Sequence, residues 1–120
     1  MATTYRPNIL GQAQPLAGQP QTLVILRPDQ NGYCNISVTN ISDTTEDYVR
    51  VVIKRGGDSD SLSDPTSTDD SHYIAYDTPS PPNKFFYLPN IGLEPQDQVI
   101  VYSQNGVVSF SCTGATFINY

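Results

Sequence analysis

The sequence predicts an all-β protein: an antiparallel β-sandwich or jelly roll of about eight short strands, preceded by an extended N-terminal arm. Three observations lead there. From Asp97 to Cys112, residues Val99, Val101, Val107, Ser109 and Ser111 alternate with Ile100, Tyr102, Val108, Phe110 and Cys112 around Gln104-Asn105-Gly106. Period-two alternation flanking Asn-Gly is the signature of an antiparallel hairpin, because those residues accept the positive φ of a tight turn. No segment shows a helical period, and ten prolines and eight glycines interrupt the chain. The remaining apolar runs are short and separated by turn residues, the spacing expected of a two-sheet all-β domain.

The elements follow in order. Residues 1–20 hold Pro7, Pro15, Pro20, Gly11 and Gly18, so the backbone is kept extended and non-helical. This stretch reads as an arm, and residues 21–120 as one sandwich domain. Either the arm is a loose terminus, or Tyr5, Ile9 and Leu10 anchor it on a neighbouring subunit while Arg6 seeks an acidic partner. Strands are expected over Thr22–Leu26, Tyr33–Asn40, Tyr48–Arg55, His72–Tyr76, Lys84–Leu88, Gln98–Ser103, Val107–Cys112 and Ala115–Asn119. Cys34, Ile36 and Val38 form one face of their strand. Val49, Val51 and Ile53 form another, with Tyr48, Arg50, Val52 and Lys54 on the wetter side. Gly56–Ser71 has one leucine among Gly, Ser, Thr, Pro and five aspartates, and reads as an acidic surface loop.

Composition narrows the function classes. At 120 residues one domain can bury roughly two-thirds of its unfolded surface without staples. All twelve acids lie beyond residue 28, against Arg50, Lys54, Arg55 and Lys84, and the net charge is −6. An acidic body lacks the clustered Lys and Arg that phosphate contacts need, so nucleic acid is not an expected partner. No run approaches the ~18 apolar residues that cross a bilayer, and a soluble protein without a membrane partner is expected. Eight tyrosines outnumber four phenylalanines, so part of the aromatic surface should meet water or a partner.

The residues that do chemistry are sparse. Cys34 and Cys112 are too far apart for a metal knuckle; they are two small core residues or a pair bridging the two sheets. Asn35-Ile36-Ser37 and Asn40-Ile41-Ser42 fit the glycosylation sequon but read as strand and turn. Asp58, Asp60 and Asp64 lack the turn glycine and closing glutamate of a calcium loop. His72 is the only histidine, which leaves no multi-histidine metal centre, and no nucleophile elbow or phosphate loop accompanies it. No catalytic residue, cofactor or metal is expected, and the chain is not read as an enzyme.

At His72-Tyr73-Ile74-Ala75-Tyr76-Asp77-Thr78-Pro79, with Asn83, Gly92-Leu93, Asp97-Gln98-Val99-Ile100-Val101-Tyr102-Ser103, Val108-Ser109-Phe110-Ser111 and Leu10-Gly11-Gln12, the chain resembles a family of short virion structural proteins of tailed bacteriophages, including phages of cyanobacteria. The resemblance spans most of the chain, carries no catalytic signature, and departs from the family in the length of the acidic insert. It implies a β-sandwich assembled in several copies on a virion in the host cytoplasm. The leading expectation is a capsid decoration, or cement, protein that binds major capsid protein or other virion proteins and forms a homo-oligomer, with Tyr5, Arg6, Ile9 and Leu10 at the interface. The rivals are a neck, tail or fibre-associated protein contributing to host attachment, and a carbohydrate-binding β-sandwich using Tyr73, Tyr76 and Tyr87.

Overall fold

A computed structural model describes residues 3–54 and 73–119, with side chains over 10–54 and 73–118. Among the described residues there are eight strands and no helix: β1 (Thr3–Ala13), β2 (Gln21–Ile25), β3 (Gln30–Asn40), β4 (Asp47–Lys54), β5 (Tyr73–Ser80), β6 (Phe85–Leu93), β7 (Gln98–Ser103) and β8 (Val108–Asn119). They form two four-stranded antiparallel sheets, ordered β1-β8-β3-β6 and β2-β7-β4-β5. The pairs β1–β8, β2–β7, β3–β6 and β4–β5 describe one long hairpin, folded at β4–β5 and rolled so that its successive rungs alternate between sheets. That is the jelly-roll arrangement.

Period-two patterning places the core. Cys34, Ile36, Val38, Val49, Val51, Val99, Val101, Val108, Phe110 and Cys112 are wholly buried between the sheets. Each large side chain among them stabilises the fold by roughly 1.5–3 kcal/mol on leaving water. Val52 and Ile100 are also buried, although they stand outside this cluster. The wetter side expected for β4 is therefore partly apolar.

Three expectations need correction. The Asp97–Cys112 segment is not a hairpin: β7 pairs with β2 and β4, whereas β8 pairs with β1 and β3. The turn at 104–107 crosses between sheets because a side chain from β4 supplies its hydrogen bonds, as described below. The two late strands are one, since β8 runs through Gly114 to Asn119. The proline-rich terminus is extended, but Thr3–Ala13 is an edge strand of the sandwich, paired with β8 from Thr3↔Asn119 to Ala13↔Phe110. The boundary at residue 20 therefore falls after a strand of the domain rather than before its first one. Pro7 is tolerated because an edge strand need not donate outward. Gly11 is required, since a Cβ there would lie 2.0 Å from the Leu23 carbonyl oxygen where β1 passes β2.

Candidate interaction surface

Strand ends are wired by buried polar side chains that lie in phase with the core. Asp47, wholly buried, accepts hydrogen bonds from the Tyr48 N–H at 2.7 Å, the Asn105 N–H at 2.9 Å and the Val107 N–H at 3.2 Å. The Ser103 hydroxyl also donates to Asp47, and in turn accepts from the Gly106 N–H at 2.9 Å. The Asn105 side chain completes the corner by donating to the Glu46 carbonyl at 2.8 Å. At the neighbouring corner Asn40 donates to the carbonyls of Thr45 and Ser80 at 2.9 and 2.7 Å and accepts from the Ser42 N–H at 2.8 Å. These side chains satisfy loop backbone groups at the corners.

The two cysteines belong to one sheet. Cys34 lies opposite Gly114 and Cys112 opposite Ile36, one step apart on neighbouring strands, and both are buried free thiols. A bridge between opposing sheets is thus excluded. The hydrogen bond with Cys34, followed by burial, pushes the Cys112 thiol far up, so it stays protonated. Asn35 and Asn40 serve the strands, as read: Asn35 accepts from the Asn90 N–H at 2.9 Å and Asn40 is buried. Asp58, Asp60, Asp64 and His72 lie outside the described residues. Among the described residues, no group of three or more His, Cys, Asp or Glu could hold a metal ion.

Charge separates the two sheets. The strands β1, β8, β3 and β6 contain none of the twelve acids and a single charged residue, Arg6. Asp47, Arg50, Lys54 and Asp77 are in the other sheet. On the outer face of the acid-free sheet, register aligns Thr39 with Ser109, Ser37 with Ser111 and Asn35 with Thr113. These short uncharged side chains lie on the outer face, with the exposed Tyr33 in phase with them on β3.

That surface ends in aromatics. Phe85 and Tyr87 on β6 are each 62% exposed, with ring centroids 5.5 Å apart in an edge-to-face contact. Phe86 and Leu88, their alternates, pack against the core. Phe85 is opposite Thr39 and Tyr87 opposite Ser37, while the Asn40 N–H donates to the Lys84 carbonyl at 3.0 Å. In an antiparallel ladder this makes Phe85 and Tyr87 members of non-hydrogen-bonded pairs, so their N–H and C=O groups point away from β3, to an edge that no other described strand occupies. Beside the second half of β6, Ile53, Ile74, Leu88, Pro89, Asn90, Ile91 and Gly92 line an open groove of about 380 Å³ between the two sheets.

The other sheet presents a second cluster. The Arg50 guanidinium pairs with Asp77 through Nε–Oδ1 at 2.6 Å and Nη2–Oδ2 at 3.2 Å. It lies 4.5 Å from the Tyr76 ring centroid and 5.1 Å from that of Tyr102. Tyr73 meets Tyr76 edge-on at 4.9 Å. The hydrogen bond to Asp77 raises the Arg50 pKa further, and Asp77 holds a left-handed φ of 47°.

The residues expected at an arm interface all lie in β1. Tyr5 is opposite Phe117, Arg6 opposite Thr116 and Ile9 opposite Thr113. Leu10 is partly buried and packs against the core. Of the tyrosines expected to stack on a sugar, Tyr73 and Tyr76 share β5, whereas Tyr87 stands on β6 in the other sheet, beside Phe85. Its pairing with Phe85 was missed, although Lys84-Phe85-Phe86-Tyr87-Leu88 places large apolar groups on both faces of one strand. No protein-family model matches the chain, and no curated protein matches it in sequence.

Proposed function

We propose that this chain is a structural subunit of a tailed-bacteriophage particle, a capsid decoration protein that stabilises the head shell. The observation that carries the reading is the acid-free sheet: four strands without a carboxylate side chain, with aromatics at their border, in a molecule of net charge −6. Interface cores are depleted of charge and enriched in aromatic residues, and a partner docked on this face meets no carboxylate from its four strands. The sequence resemblance to virion structural proteins supplies the particle. The jelly roll is compatible by analogy of fold alone, since it recurs in viral capsid and lectin domains. A protein that binds only the assembled shell stabilises it by mass action.

The test is the copy number and position of the protein in purified particles, by quantitative gel analysis and density imaging. Hundreds of copies on the head support decoration. A handful at the vertex or tail transfers the reading to attachment, and none overturns the virion reading. A second reading, carbohydrate binding, is favoured by the Arg50–Tyr76–Tyr102 cluster with Tyr73 beside it, where aromatic and charged groups converge on one sheet face. Saturable binding of host-surface glycans, abolished by Tyr76→Ala, would support it.

A further inference from the structure

We infer that the first half of β6 pairs edge to edge with β6 of a second copy, joining two acid-free sheets into one continuous eight-stranded sheet. An unpaired strand edge is a template for another strand, and proteins blunt such edges with charge, proline, bulges or brevity. Among the described residues, three of the four sheet edges are blunted. β1 carries Arg6, Pro7 and a register shift at Ile9/Gly11; β2 has five residues and a shift at Thr22/Val24; β5 carries Asp77, Pro79 and two shifts. In β6 such devices occupy the second half only: Pro89, Asn90 with φ of 59°, and the shift opposite Cys34/Ile36. Phe85-Phe86-Tyr87-Leu88 has none.

The occupant follows from charge and symmetry. A copy of this chain is strongly acidic, and pairing at β6 brings together sheets without acids. A twofold axis through Phe86 sets Phe85 opposite Tyr87 of the second copy and Tyr87 opposite Phe85. These are the residues whose backbone groups face the edge, so the interface is self-complementary, as a twofold contact must be. The four rings would bury on the order of 500 Å², below the ~1,200 Å² of stable complexes, so the pairing is weak, reversible and strengthened by display in an array.

Sedimentation equilibrium of the full chain, from roughly 1 μM to 1 mM, tests the inference. The expected mass rises with concentration from 13.2 kDa towards twice that value. Tyr87→Lys and Phe85→Lys should each weaken dimerisation at least tenfold, while Ile25→Lys, at an equally exposed site on β2, should not. Circular dichroism verifies that the variants fold. In the unmodified protein, amide exchange at Phe85 and Tyr87 should slow as concentration rises. A monomer throughout, or a dimer insensitive to both lysines, overturns the pairing. Either result leaves the virion reading standing, and absence from particles would leave a solution dimer standing.

Discussion

Asp47 decides a corner that the local sequence would have folded otherwise. Asn105-Gly106 is suited to a hairpin, and Gly106 does take a φ of 75°. The N–H groups of Asn105 and Val107 nevertheless go to the Asp47 carboxylate from 58 and 60 residues away. Removing that carboxylate leaves those donors and the Ser103 hydroxyl unsatisfied. Asp47→Ala should therefore cost about 3–5 kcal/mol, since each orphaned buried group costs 1–3 kcal/mol. Urea unfolding with an unchanged slope measures this, and a loss below about 1 kcal/mol would contradict the wiring. The clue was present: Asp47 is in phase with Val49, Val51 and Ile53, as Asn40 is with Ile36 and Val38. A polar residue at a core position near a strand end signals a corner, but which loop it serves depends on the fold.

At the level of elements, alternation located most of the strands and the buried faces of β3 and β4. It failed where pairing mattered. Both β7 and β8 suit a hairpin, yet each pairs with two other strands, and that arrangement gives them ladders on both sides and a shared core. β1 was hidden by Pro7 and Gly11, which mark an edge strand as readily as a loose arm. Gly11 is the sharpest case, because its missing side chain reflects a strand crossing invisible in one dimension. Gly11→Ala should cost at least about 1–3 kcal/mol from forced backbone displacement. It should also speed amide exchange along β1 more than along β3, a difference readable by hydrogen exchange.

For the whole molecule, the rolled hairpin sorts charge by sheet. β1, β8, β3 and β6 lie far apart in sequence, so their shared lack of acids emerges only when the roll gathers them. Net charge opposes any meeting of two copies at long range, while contact at β6 involves no acid. Raising salt from low values to about 0.1 M, where the screening length is ~10 Å, should strengthen dimerisation, with little further change above that. A dimer that instead dissolves steadily with added salt would require charge pairs across the contact. Centrifugation over a salt series separates these outcomes.

Period-two patterning, turn residues and the absence of a helical period determined the all-β class, the positions of most strands and the buried faces of β3 and β4, because these depend on local alternation and backbone allowance. The resemblance motifs likewise belong to the sequence. Only the tertiary structure decided which strands pair, that the 104–107 turn crosses between sheets, that the terminus is a strand of the domain, and that Phe85 and Tyr87 border an acid-free face. Those properties depend on contacts between residues tens of positions apart, where hydrogen-bond satisfaction and shared burial outweigh local preference.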